Sequence, residues 1–256
     1  MSIIHGIVGE KGGVGKSIFA LTLGDYLEAK GNNFVICDAD RSNGDVGNAY
    51  DGKRELVRSY FTEDTDEVYR ADELLEIAVS GSDILLNTPA QAHRAMCKWL
   101  SLGSASLALE AGVEFYFWFV TSGSQDSINL FFESLKAFEG MPHCLVRNEN
   151  KMKKEAIVYD YSDPESWPPV KDAIETYGAQ VITLPDLDGF SIDVIKNHHL
   201  TFPEARVSTE HLGFCPRSRF ITSLRGIHSV LDSLEVFSCG DIIERDNGGG
   251  SEPKKV

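Results

Sequence analysis

The sequence predicts a doubly wound α/β domain, a mostly parallel sheet with helices on both faces. Three observations carry that expectation. Apolar runs of strand length recur at 3–8, 34–37, 84–86, 114–120, 143–146 and 180–184. None alternates strictly between apolar and polar residues, as a strand wetted on one face would. Segments of helical periodicity separate these runs, near 16–30, 71–79, 91–101, 124–139, 169–177 and 216–237, so successive strands need crossover connections and lie parallel. Finally, the glycine-rich run GEKGGVGKS, residues 9–17, joins the first strand to the first helix. In open α/β sheets ligands gather at such strand carboxyl ends.

Each element has its own warrant. IIHGIV at 3–8 is short and mostly apolar, suited to a buried strand, and the helix from Lys16 to Lys30 carries Phe19, Leu23, Tyr26 and Leu27, with Gly31 as its stop. FVIC follows and ends in the acidic string CDADRSNGD. Residues 39–70 are polar and charged with scattered glycines, the composition of a switch region or a surface excursion. The stretch 159–169, YDYSDPESWPP, should form an ordered or semi-rigid loop. In the last helix Phe220, Leu224, Ile227, Leu231 and Leu234 make one apolar face, expected to be core. A single domain is expected over 1–239, followed by a disordered polar tail over 240–256.

Composition excludes several roles. The five cysteines form no CxxC pair, which suggests neither a disulfide framework nor a zinc site and fits a reducing, cytoplasmic setting. The first strand follows the amino terminus directly, so no signal peptide is expected. No apolar run approaches the 18 residues of a membrane span, and the tail lacks a basic amphipathic helix, so no membrane partner is expected. A net charge of −15 disfavours nonspecific DNA binding unless a local basic patch overrides it. Arg217, Arg219 and Arg225 are the candidate patch; they also read as a solvated helix end. His198 and His199 have no ligand companions at metal spacing and read as surface or packing.

The glycine run carries the chemistry. Gly12, Gly13 and Gly15 let the backbone curl so that the N–H groups of the loop, those of Val14 and Ile18 included, face phosphate oxygens. Lys16 would lie along the β- and γ-phosphates, and the Ser17 hydroxyl would fill a position on Mg²⁺. The run is thus a cradle for a nucleoside triphosphate. Glu10 stands where the general pattern has its first glycine, and Lys11 precedes the Gly12–Gly13 pair.

The string KGGVGKS resembles the deviant Walker A motif of the ParA and MinD superfamily. That resemblance implies a P-loop ATPase using ATP and Mg²⁺, with Lys11 reaching in trans to the partner's phosphates and an ATP-dependent homodimer as the product. Lys11 acting in cis is the alternative. Asp38 and Asp40, at the end of the second strand, resemble the family's DxD: Asp40 would orient the attacking water and, with Asp38, contact Mg²⁺ or its waters, unless the pair merely caps a turn. SDILLNTPAQ at 82–91 is similar to the family's Walker B strand, with Asn87 in place of the usual acid. An amide accepts more weakly from a metal-bound water and supplies no charge, which implies slow hydrolysis. Ile18 replaces a hydroxyl residue common in partition ATPases. The resemblance also assigns Asn148 to the adenine edge and backbone near Pro185 to the base pocket, though a strand-end asparagine is often only a turn residue.

These departures are similar to the ParA-like proteins of mobile plasmids, the TraL, StbC and MobD-like group. The implied role is plasmid maintenance or transfer through a plasmid-encoded protein partner. Competing expectations are a partition ATPase contacting DNA, an accessory protein of conjugative mobilisation, and a metabolic kinase or ligase of the same fold.

Overall fold

The computed structural model describes residues 1–9, 11–41, 43–152 and 168–238. Most of the loop expected over 159–169, and the expected tail 240–256, lie outside the described residues. Among these residues seven strands form one sheet: β1 (Ser2–Val8), β2 (Phe34–Asp38), β3 (Leu56–Val57), β4 (Asp83–Asn87), β5 (Val113–Thr121), β6 (His143–Asn148) and β7 (Gln180–Leu184). Their order is β3-β2-β4-β1-β5-β6-β7, and every neighbouring pair is parallel. β1 lies at the centre, where the winding reverses direction.

Burial on both sides explains the missing alternation. Along β5, Tyr116, Trp118 and Val120 enter one core with α1 (Lys16–Lys30), α2 (Asp45–Tyr50), α9 (Gly189–Asn197), α10 (Phe202–Val207) and α11 (Phe214–Leu231). Phe115, Phe117 and Phe119 enter the other, with α3 (Asp72–Val79), α4 (His93–Trp99), α5 (Ala105–Glu110), α6 (Gln125–Ala137) and α8 (Pro168–Tyr177). The short α7 (Glu149–Met152) follows β6, and α12 (Glu235–Ser238) follows α11.

Several elements depart from the expectation. The polar stretch 39–70 holds α2 and the edge strand β3, which pairs with β2 through Ile36↔Leu56 and Cys37↔Val57. Two turns of helix and two residues of strand carry too little periodicity to stand out, and burial of Val46 and Tyr50 supplies what propensity does not. α9 and α10 were not anticipated. α10 nonetheless has a reciprocal capping box, Thr201 with Glu204, a signal present in the sequence. The helix expected over 216–237 divides into α11 and α12 around the tight turn in which Ser233 N–H bonds the Val230 carbonyl at 3.1 Å. The expected apolar face of α11 is core, Phe220, Leu224, Ile227 and Leu231 all being buried. His198 packs, its ring stacked on His211 with centroids 4.1 Å apart.

Candidate functional site

The glycine loop leaves β1 at the centre of the carboxyl edge and enters α1. Gly15 is the N-cap of α1, in the left-handed region at φ 106°. A Cβ there would lie 2.2 Å from Asn148 Nδ2, and one on Gly9 would lie 2.8 Å from the Val120 carbonyl oxygen, so both positions exclude a side chain. Asn148, at the end of β6, clamps the loop by donating from Nδ2 to the Val14 carbonyl at 2.8 Å. Gly12 and Gly13 face open space, and Lys11 is exposed beside them.

Lys16 is buried at 7% exposure, and its ammonium folds back across the loop to the Gly9 carbonyl at 2.8 Å. Ser17 and Ile18 are half-buried in the first turn of α1. No side chain caps that end, and its first turn holds no acid. A 15-residue helix therefore presents amide N–H groups and the positive end of its dipole to the loop. Buried cation, cramped glycines and uncapped helix end together suit an anion of several oxygens.

The acidic side follows from strand register. Asp38 pairs with Asn87, and Asn87 pairs with Ile7 of β1, so all three meet at the carboxyl edge. Asp38 Oδ1 accepts from Asn87 Nδ2 at 2.9 Å and from the Asp40 N–H at 3.2 Å; Oδ2 accepts from the Gly47 N–H at 2.7 Å. Burial raises the Asp38 carboxyl above its ordinary range, and these three donors partly offset it. Asn87 is fully buried, and its Oδ1 has no hydrogen-bond partner among the described residues. Such an orphaned acceptor costs about 1–3 kcal/mol and suits a donor such as metal-bound water. Asp40 is half-buried; its Oδ1 accepts the Asn43 N–H at 3.1 Å, a turn-capping contact. Thr88 fixes the segment after β4, its hydroxyl donating to the Ile7 carbonyl at 2.8 Å.

On the other flank Asn148 pairs with Leu184, which directly precedes the half-buried Pro185. Lys16, Ser17, Asp38, Asp40, Asn87, Asn148 and Pro185 thus all sit at strand or helix ends on one edge. Gly47 was missed: its N–H reaches Asp38 from α2, and nothing in the sequence signals that partnership. Among the described residues, no group of three or more His, Cys, Asp or Glu is placed to hold a metal. A divalent ion here would depend on phosphate oxygens for much of its shell. Cys37, Cys144 and Cys215 enter no disulfide among the described residues, and no helix among the described residues is long and apolar enough to cross a membrane.

No protein-family model matches the chain. Protein MobD of Acidithiobacillus ferrooxidans is 28% identical over 197 residues, spanning 75% of this chain and 81% of that protein. A chain of the MinC:MinD cell division protein complex of Aquifex aeolicus superposes with a TM-score of 0.52 at 15% identity, covering 90% of this chain and 96% of that one. MinD of the same organism gives 0.50 at 16% identity, covering 90% and 97%. At such identities the structural likeness speaks for the fold, while the relation to MobD is one of sequence. The chain thus shares the fold of MinD and is similar in sequence to MobD.

Proposed function

We propose that this chain binds MgATP in the loop from Gly9 to Ser17, dimerises around it and hydrolyses it slowly, the cycle switching its affinity for a protein partner. The observation that carries the reading is the buried Lys16 ammonium, held over a loop in which Gly9 and Gly15 leave no room for a side chain, at the uncapped amino end of α1. A triphosphate would take over the contact Lys16 now makes with the Gly9 carbonyl. The N–H groups of Gly12 to Ile18 would bond its oxygens.

Ser17 and Asp40 are the residues that would hold Mg²⁺, with Asp38 and the free Asn87 oxygen accepting from its waters; the ion supplies charge neutralisation at the phosphates. Asp40 orients the attacking water. The amide at Asn87 brings no charge, which makes turnover slow. Asn148 has spent one N–H on Val14, so a purine edge would use its other N–H and its oxygen, beside the backbone at Pro185. Exposed Lys11 would reach the partner's phosphates.

The likeness to MobD favours service in plasmid transfer over partition, and the acidic balance of the chain favours a protein partner over DNA. Size-exclusion chromatography with and without MgATP tests the switch. Wild type should shift to dimer with MgATP and Lys11→Ala should remain monomeric. An unmoved wild-type elution volume overturns the dimer. A Lys11→Ala monomer with full turnover would instead favour a kinase or ligase of this fold.

A further inference from the structure

α11 has a second face. Its core stripe runs through Phe220, Leu224, Ile227 and Leu231. A separate stripe at three- to four-residue spacing, from Phe214 through Arg217 and Ile221 to Arg225, lines a groove of about 540 Å³ whose opposite wall is Arg206 and Val207 at the end of α10. Phe214 is 78% exposed and Val207 76%. Large apolar groups this open at the rim of a groove mark a contact surface.

The groove is also cationic in a chain of net charge −15. None of its lining residues is acidic. The Arg206 guanidinium is compensated by buried Asp25. Arg217 donates to the Ser208 carbonyl at 2.9 Å, a neutral acceptor that leaves its charge uncancelled. Arg225 is exposed and has no hydrogen-bond or ion partner among the described residues. The amino end of α11, with neither a side-chain cap nor an acid in its first turn, adds positive potential at Phe214.

We propose that this groove docks an acidic peptide segment of another protein, with an apolar side chain seated against Phe214 and Val207 and carboxylates meeting Arg217 and Arg225. Charge complementarity selects an acidic occupant, and the apolar rim selects a peptide over a nucleic acid. A duplex backbone offers nothing to bury against a phenyl ring, and two uncompensated guanidinium groups fall short of the six to ten phosphate contacts of strongly salt-dependent binders (about that many). The groove shares no residue with the phosphate loop, so its test needs no nucleotide.

The test is fluorescence anisotropy with the full chain and a labelled peptide in which Asp and Glu flank a central Leu-Trp pair. The controls are the same peptide with Ser for Leu and Trp, and a labelled duplex DNA. Saturable binding of the first peptide is expected, weakened about tenfold by Arg225→Glu, the scale of one lost charge-assisted contact, and about tenfold by Phe214→Ser, the scale of one apolar side chain no longer buried. Arg219→Ala, whose side chain pairs with Asp188 outside the groove, should leave it within about twofold. Both groove positions are exposed, so thermal melts should show folded variants. The proposal is overturned if no peptide binds, if the serine peptide binds equally, or if Arg225→Glu changes nothing. It is overturned as well if the duplex binds more tightly through Arg225, or if sedimentation shows self-association that Arg225→Glu abolishes.

Discussion

Asn87→Asp restores the acid that the resemblance leads one to expect, and the structure gives its cost without metal. The Asn87 amide nitrogen is 2.9 Å from Asp38 Oδ1, and both side chains are buried. Replacing donor by carboxylate sets two negative charges about 4 Å apart, which at an effective dielectric constant of 20 repel by about 4 kcal/mol. The pair escapes by taking up a proton, at about 1.4 kcal/mol for each pH unit above the ordinary carboxyl value. The penalty is therefore about 4 kcal/mol at pH 7 and under about 2 kcal/mol at pH 5. The sign follows from the folded pKa, already raised for Asp38 by burial and raised further in the variant. A folded pair that holds its proton above the unfolded value loses stability as pH rises through that window. Urea unfolding of wild type and Asn87→Asp at pH 5 and pH 7 checks this, and saturating MgATP should recover part of the loss by binding the native state. A variant as stable as wild type at pH 7, or a loss relative to wild type that is larger at pH 5 than at pH 7, would refute the placement of Asn87 against Asp38.

Three further outcomes are expected. Gly15→Ala forces a Cβ to within 2.2 Å of Asn148 Nδ2 at a φ of 106°; it should cost about 2 kcal/mol of stability and abolish nucleotide affinity, read by melting and calorimetry. Asn148→Ala removes the clamp on Val14 and should cost about 1 kcal/mol with weaker nucleotide binding, a loss that Asn148→Asp should not repair, since a carboxylate cannot donate to the Val14 carbonyl. His5 and His143 are held neutral by burial, their pKa values lowered to about 3 and about 4. The unfolded chain binds the extra protons, so stability present above pH 6.5 is lost as pH falls below it, at about 1.4 kcal/mol per unit for each histidine. His143→Gln should halve the slope of the urea midpoint between pH 6 and pH 5, and a flat wild-type profile would contradict the burial argument.

The parts of the fold legible in sequence were those where one signal dominated. EFYFWFV, apolar at nearly every position, gave up β5 because both faces of the strand are buried, and KGGVGKS located the turn from β1 to α1. The elements of 39–70 were not legible because α2 and β3 are held by contacts made elsewhere, Asp38 to Gly47 and β2 to Leu56. Asn148 shows the limit at the site itself. Its position at a strand end was readable, but its bond to Val14 arises from sheet order, which sets β6 beyond β5 and within reach of the phosphate loop. The arginines of α11 were visible as a weak basic patch. Their division into Arg219, paired with Asp188, and the groove-lining Arg217 and Arg225 depends on how α9 and α10 pack against α11.

The central claim is that the Gly9–Ser17 loop wraps a triphosphate with Lys16 over it. Isothermal titration of MgATP into wild type and Lys16→Ala tests it most directly. Wild type should show saturable heat at one site per chain, and Lys16→Ala, folded by its melt, should show none. Absence of heat from folded wild type, or equal affinity in both proteins, would contradict the account.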